Sequence, residues 1–115
     1  MAAATGGSRP SPQLLEELSA FFRLLSEPAR LQLLCQLEHD GARDVASLIE
    51  ATGFSQSHIS RQLGQLQRAG LVRCEREGAR LIYEVADPLV AELCGLVQRR
   101  LRKRLEEQLQ QLQTA

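Results

Sequence analysis

The feature that most restricts the possible folds is a pair of short helical patterns followed at once by two strand-like runs. Apolar residues recur at helical spacing over residues 44–52 and 56–69, and Gly53 suits the end of the first helix. Residues 71–85 form two β-rich runs around Gly78, which predicts a β-hairpin. Two helices joined by a tight turn predict a helix-turn-helix unit, and a hairpin directly after it forms the wing of a winged-helix domain. The predicted strands are residues 71–76 and 80–85.

Three further helical patterns surround this unit. The first covers Gln13–Leu25 and has a wide apolar face, and the second begins at Pro28, with Ser26 as candidate N-cap, and ends near Gly41. A long last helix is capped by Asp87 and carries an apolar stripe. The stripe consists of Leu89, Leu93, Leu96, Val97, Leu101, Leu105, Leu109 and Leu112. We therefore predict a mostly α fold with a β-hairpin wing, a winged helix-turn-helix in the order four helices, hairpin and fifth helix.

The length and composition place the chain among ordinary globular proteins. Its 115 residues suit one domain, which we expect to cover residues 13–113. Residues 1–12 are rich in Ala, Gly, Ser and Pro, so we expect a disordered leader there. No run of apolar residues is long enough to span a membrane. Three cysteines, an odd number, argue against a disulfide framework and favour a cytoplasmic protein with reduced thiols.

Charge is unevenly distributed along the chain, although 14 basic residues balance 14 acidic ones. Residues 13–52 contain three arginines against seven acidic residues. Residues 55–83 contain five arginines against two acidic residues. The middle of the chain is therefore where an anionic partner would bind.

The fourth predicted helix has an apolar side and a polar side. If Ile59, Leu63 and Leu66 face the core, then Arg61 lies on the opposite side, because successive helical residues are about 100° apart. Hydroxyl, amide, imidazole and guanidinium groups are those that base edges and phosphates require. The alternative is an ordinary amphipathic surface helix. The candidate DNA-binding residues are Gln56, Ser57, His58, Ser60, Arg61, Gln62 and Arg68 of this helix and Arg76 and Arg80 of the hairpin.

Several segments together resemble the arsenic-repressor/metallothionein-repressor (ArsR/SmtB) family over residues 14–97. The matching segments are Leu25–Leu34, Gly53–Leu63 with Leu66, Ala69–Val72, the Glu77–Gly78 turn, Tyr83 and Ala86–Pro88. The resemblance implies a homodimeric winged-helix repressor of transcription. The fourth helix would bind double-stranded operator DNA, and the hairpin would contact its backbone or minor groove. The first and last helices would form the dimer, whose two-fold axis matches a palindromic operator.

The wing departs from the family pattern. Family members usually have Arg or Lys directly after the turn glycine, whereas this chain has Ala79 there and Arg80 next. One step along a strand reverses the face that a side chain occupies. Either the turn has a shifted register, or the wing contacts DNA mainly through Arg76.

The metal sites that the resemblance implies are incomplete in this chain. A thiolate site in the third helix needs a Cys-x-Cys pair, but residues 44–48 contain no cysteine. A zinc site on the last helix needs histidines, and the two histidines, His39 and His58, lie elsewhere. We therefore expect no metal and no cofactor, and arsenite bound by some combination of the three cysteines stays open.

Cys35 indicates that the protein senses its inducer by thiol chemistry rather than by binding a metal. It resembles the thiol site of family members that respond to persulfides or oxidants, which pair it with a cysteine of the last helix. Cys94 lies on that helix, about two turns earlier than the usual partner. We expect Cys35 and Cys94 to form a thiol switch with a small sulfur compound or oxidant as inducer. The alternative is that both fill the core, and Cys74 is expected to be structural.

Two other classes of function are alternatives to a repressor. A dimeric protein-interaction module would use the same helices but show no salt-dependent affinity for DNA. An enzyme is disfavoured, because the sequence shows no nucleophile–base pair, Gly-rich phosphate loop or metal cluster. We therefore predict a non-enzymatic repressor that releases its operator when it senses an inducer.

Overall fold

A computed structural model describes residues 8–114 and contains five helices and three strands within that range. The elements are α1 (Pro12–Leu25), α2 (Pro28–Asp40), β1 (Arg43–Asp44), α3 (Val45–Thr52), α4 (Gln56–Arg68), β2 (Val72–Glu77), β3 (Arg80–Val85) and α5 (Leu89–Thr114). The predicted order of helices and hairpin is confirmed, and β1 is an addition to it. Of the predicted leader, residues 1–7 lie outside the described range, and Pro12 already belongs to α1.

Side-chain caps define where the two helices of the helix-turn-helix begin. The carboxylate of Asp44 accepts a hydrogen bond from the backbone N–H of Ser47 at 2.9 Å, at the start of α3. The hydroxyl of Ser55 accepts one from the backbone N–H of His58 at 3.2 Å, at the start of α4. Each cap satisfies a donor that the first turn of a helix otherwise leaves unpaired, so the start of each of the two helices is fixed.

The predicted N-cap of the second helix is wrong by one residue. Ser26 ends α1, where its hydroxyl donates to the carbonyl of Arg23 at 2.7 Å. Glu27 caps α2 instead, since its carboxylate accepts from the backbone N–H of Ala29 at 3.0 Å. Two residues of a very short loop thus serve two different helix ends.

The three strands form one antiparallel sheet in the order β1–β3–β2. Glu77 is paired with Arg80, so the hairpin loop consists of Gly78 and Ala79 alone. Gly78 has a φ of 64°, a conformation that glycine adopts without strain. The short strand β1 runs along the other edge of β3, which attaches the wing to the start of α3.

The core lies between α2, α3 and α4. Its fully buried side chains are Leu33, Leu37, Leu48, Ile59, Leu63 and Leu66. Half of this set comes from α4, so one side of that helix is fixed against the domain and the other side is left for solvent. No helix among residues 8–114 combines the length and the apolar character needed to span a bilayer.

Candidate nucleic-acid interface

Helix α4 presents a polar, arginine-bearing surface on the side away from the core. Ile59, Leu63 and Leu66 have no exposed surface, as the helical pattern predicted. The exposed predicted residues of this helix are Gln56, Ser57, Ser60, Arg61 and Arg68. In the described part of the chain, neither Arg61 nor Arg68 takes part in an ion pair. Both guanidinium groups are therefore available for phosphates or base edges.

Gln62 does not belong to that surface. Only 7% of Gln62 is exposed, and its amide oxygen accepts a hydrogen bond from Nε of Arg30 at 2.8 Å. The helical period places Gln62 beside Leu63, at the edge of the apolar side. A buried amide needs a partner, and Arg30 supplies it from α2. The prediction that Gln62 contacts DNA is therefore replaced by a role inside the domain.

His58 lies at the edge of the polar surface. It is partly buried, and its ring packs edge-to-face against Phe54 with ring centroids 5.0 Å apart. Phe54 is in the turn between α3 and α4, so this contact joins the turn to the first turn of α4. His58 therefore helps to hold the start of α4 in place, in addition to its predicted position near DNA.

Gly64 leaves space on the polar side of α4. A Cβ atom built at Gly64 would lie 3.5 Å from a guanidinium nitrogen of Arg68, an ordinary van der Waals distance. The Arg68 side chain thus folds back over Gly64. The helix backbone can approach a duplex closely there, provided that the flexible Arg68 side chain moves aside.

The two predicted arginines of the wing lie on opposite faces of the hairpin. Arg76 is paired with Leu81 and shares its face of the sheet. Arg80 is the neighbour of Leu81 along β3, and successive residues of a strand point to opposite faces, so Arg80 lies on the other face. The two-residue loop places Arg80 at the first position of β3, directly opposite Glu77. Among residues 8–114, Arg76 is in no ion pair, whereas Nε of Arg80 donates to Asp44 at 2.8 Å. The geometry therefore favours Arg76 as the wing residue available to DNA.

The ion pair between Arg80 and Asp44 fixes the wing against the helix-turn-helix. The Ser47 backbone N–H and side chain, together with Arg80, lower the pKa of Asp44 below its ordinary value. A lowered pKa means that the folded state favours the carboxylate. This contribution to stability is present above the pKa of the unfolded chain and is lost as the pH falls through the lowered value.

The three cysteines fall into two locations. Cys35 of α2 and Cys94 of α5 line the same cavity of about 480 Å³, together with Glu38 and other residues. Burial raises the pKa of the Cys35 thiol, and the nearby Cys94 and Glu38 raise it further. Cys74 lies in the sheet instead, directly opposite Tyr83 in the hairpin register. Burial, a hydrogen bond with Cys74 and its charge raise the pKa of Tyr83, so Cys74 has a local partner within the fold.

A helix-turn-helix with an exposed arginine-bearing second helix and an attached wing defines a winged-helix DNA-binding protein. The family model "Bacterial regulatory protein, arsR family" matches residues 27–73, which span α2 to the start of β2. The chain belongs to this family, whose members are DNA-binding transcriptional regulators rather than enzymes.

Several relatives extend the similarity over most of the chain. The uncharacterised HTH-type transcriptional regulator Rv0081 of Mycobacterium tuberculosis is 36% identical over 98 residues, which are 84% of this chain and 85% of that protein. Its crystal structure superimposes with a TM-score of 0.77 over 87% of this chain and 99% of the other. The HTH-type transcriptional regulator NmtR of the same species is 37% identical over 92 residues, 76% of each chain.

A further solved structure describes the assembly of a similar domain. It is the solution structure of a homodimeric winged helix-turn-helix DNA-binding domain from Mycobacterium bovis, a possible ArsR-family regulator. It superimposes with a TM-score of 0.74 and 35% identity, over 90% of this chain and 95% of the other.

Proposed function

We propose that this protein is a homodimeric transcriptional repressor that binds a palindromic operator and releases it after a thiol reaction at Cys35 and Cys94. The observation that carries the DNA-binding part is the exposed polar side of α4, with Arg61 and Arg68 in no ion pair among residues 8–114. Arg76 of the wing adds a third cation from a separate element.

Large apolar surfaces on α1 and α5 support the dimer. Leu14 is 52% exposed, Phe22 is 53% exposed and Leu105 is 60% exposed. Contiguous apolar faces of this kind are rare on a monomer and typical of protein interfaces. The exposed apolar residues are Leu14, Leu15, Leu18 and Phe22 of α1 and Leu89, Leu96, Val97, Leu101, Leu105, Leu109 and Leu112 of α5. A second copy would cover them through a two-fold interface. The similar Mycobacterium bovis domain is homodimeric.

The two-fold interface determines the form of the operator. Two copies of α4 related by a two-fold axis read the same sequence on opposite strands, so the preferred site is a palindrome with two half-sites. The test is to select bound duplexes from a random-sequence pool with the purified protein and to sequence the bound pool. The affinity for the selected duplexes is then measured by titration. A palindromic consensus is expected, and a consensus with one half-site would contradict the two-fold arrangement.

A matched pair of variants tests whether α4 is the reading helix. Arg61→Ala removes a guanidinium from the polar side of α4, and Arg99→Ala removes an exposed one from α5. If Arg61 contacts a base, its loss costs about 1–3 kcal/mol of specific binding, whereas Arg99→Ala leaves specific binding unchanged. Equal effects of the two substitutions would mean that α4 does not read the operator.

The position of the two cysteines supports the thiol switch. They line the 480 Å³ cavity between α2 and α5, and they also line an apolar groove of about 370 Å³ formed with α1. The groove contains Phe22 and Leu101, which belong to the proposed dimer surface. A bond between Cys35 and Cys94 would therefore change the position of α5 relative to α2 beside the dimer interface.

The chemical step needs an external oxidant, such as an organic disulfide RSSR. The Cys35 thiolate attacks one sulfur of RSSR and expels RS⁻, which takes up the proton that Cys35 released. The Cys94 thiolate then attacks the Cys35 sulfur and expels the second RS⁻, which is protonated in turn. The two protein thiols lose two electrons and two protons, and RSSR becomes two molecules of RSH. Since the pKa of Cys35 is raised, the first attack should accelerate as the pH increases.

Operator affinity before and after oxidation tests the switch. Wild type and Cys74→Ser should lose affinity after treatment with glutathione disulfide or a polysulfide and regain it with dithiothreitol. Cys35→Ser and Cys94→Ser should keep their affinity under the same treatment. If treated wild type still binds its operator, the thiol switch is wrong, and release by arsenite alone would favour the alternative inducer.

A further inference from the structure

One arginine joins the end of α1 to the middle of α4. Nε of Arg30 donates to the side-chain oxygen of Gln62 at 2.8 Å, and Nη1 of Arg30 donates to the backbone carbonyl of Leu24 at 2.8 Å. Leu24 lies in the last turn of α1, and Gln62 lies 32 residues beyond Arg30 in the chain. A single guanidinium from α2 thus contacts both a helix of the proposed dimer surface and the proposed reading helix.

The guanidinium of Arg30 determines the geometry of this link between α1 and α4. A guanidinium is planar and has its N–H donors in a fixed fork, so two hydrogen bonds from it set the relative position of both acceptors. Gln62 is the buried polar residue of α4, so an unpaired amide there would be costly. A lysine has a flexible stem and a single point charge, and it does not reproduce this geometry.

The hydrogen bonds of Arg30 lie beside an open surface cavity rather than within the apolar core. An open cavity of about 400 Å³ is lined by Ala20 and Leu24 of α1, Arg30 of α2 and Gln65 of α4. The hydrogen bonds of Arg30 therefore connect α1 to α4 at the surface, in addition to the apolar contacts of both helices with the core.

We propose that Arg30 is a positioning residue that fixes the angle between α1 and α4, and thereby the distance between the two reading helices of the dimer. The inference rests on the proposed function, because it concerns how the dimer reads two half-sites. Arg30 itself contacts no DNA in the proposed complex. Its effect is on the spacing that the protein accepts between half-sites.

The experiment compares wild type with Arg30→Lys, Gln62→Met and the double variant, with Arg23→Lys as matched control. Arg23 lies in the same last turn of α1 and lines the same cavity, and its exposed side chain is in no ion pair among residues 8–114. Affinity is measured for a selected duplex with two half-sites, for a duplex with one half-site, and for two-half-site duplexes whose spacer is one base pair shorter or longer.

Arg30→Lys should weaken binding to the two-half-site duplex roughly tenfold, because α4 of each copy would no longer be held at the angle that both half-sites require. It should leave one-half-site binding within about twofold and reduce the preference for the original spacer. Because Arg30 and Gln62 act as one unit, the double variant should be no weaker than the single variants. Arg23→Lys should match wild type in every measurement.

Two results would overturn the inference. One is an unchanged spacer preference in both Arg30→Lys and Gln62→Met, and the other is an equal loss on one-half-site and two-half-site duplexes. If Arg30→Lys does not fold, Gln62→Glu is measured in its place. The carboxylate of this variant still accepts a hydrogen bond from Arg30, so the variant must keep the wild-type preference for the original spacer. Wild type that shows no salt-dependent binding to any duplex would defeat the proposed function itself, which is a different result.

Discussion

At the scale of single residues, the DNA surface is defined by which polar side chains already have a partner in the fold. Gln62 is bonded to Arg30, and Arg80 is paired with Asp44. Arg61 and Arg76 are exposed and in no ion pair within the described part of the chain. A charge that is already paired must exchange that partner for a phosphate, so it gains less on binding than a free one.

The two wing arginines should therefore respond differently to substitution. Arg76→Ala should weaken binding to all duplexes and reduce the slope of log affinity against log salt by about one, as expected for one lost phosphate contact. Arg80→Ala should change that slope less, because Arg80 is paired with Asp44. Fluorescence anisotropy at several salt concentrations measures both. A larger change of slope for Arg80→Ala would show that Arg80 leaves Asp44 when DNA binds.

The raised pKa of Cys35 gives a second prediction at this scale. A raised pKa leaves less thiolate at a given pH, so Cys35 should react with iodoacetamide more slowly than an unburied thiol at pH 7–9. Glu38→Gln removes a carboxylate that raises this pKa, and it should therefore accelerate the reaction. Mass spectrometry of the labelled peptide gives the rate, and Glu50→Gln on α3 is the control. Identical rates in wild type and Glu38→Gln would rule out the influence of Glu38.

At the scale of helices and strands, Gly64 lowers the stability of α4 and leaves its polar side open. Glycine inside a helix is about 1 kcal/mol less favourable than alanine, and Gly64 has helical backbone geometry with room for a methyl group. Gly64→Ala should therefore raise the free energy of unfolding by roughly 0.5–1 kcal/mol, measured by urea denaturation. The same change should lower operator affinity, because the methyl group lies where the backbone would approach DNA. Unchanged affinity would mean that the duplex does not come close at Gly64.

The sequence predicted the elements whose signals are local. The helical patterns over residues 44–52 and 56–69 end within one residue of the observed α3 and α4, and Gly78 marks the hairpin turn. The strand β1 was not predicted, because its two residues carry no strand pattern and it exists only by pairing with β3. A strand of two residues is defined by its neighbour in space rather than by its own sequence.

The candidate site also has residues that the local sequence predicts and one residue whose position depends on a distant partner. Periodicity alone placed Ile59, Leu63 and Leu66 inward and Arg61 outward, and the structure agrees. The burial of Gln62 depends on Arg30, which lies 32 residues earlier and on another helix. The helical period shows which residues border the apolar side of α4. It does not show which of these residues is buried by a hydrogen bond to another helix.

At the scale of the whole molecule, the apolar faces of α1 and α5 predict that the folded chain associates with a second copy. Leu18→Glu places a charge at a position that is 39% exposed in the single chain, so the domain itself should keep its fold. The dimer should weaken, because a carboxylate would be buried in the interface. Sedimentation velocity with circular dichroism separates the two effects. A folded variant that remains dimeric at micromolar concentration would place the interface elsewhere.

DNA reading by α4 is tested most directly by the salt dependence of operator binding, measured for wild type and Arg61→Ala with reduced thiols. We expect the log affinity of the dimer to fall linearly with log salt, and Arg61→Ala to lose specific binding while it keeps its fold and its dimer. A protein that binds no selected duplex, or binds all duplexes equally with and without the Arg61 side chain, would contradict a DNA-reading role of α4.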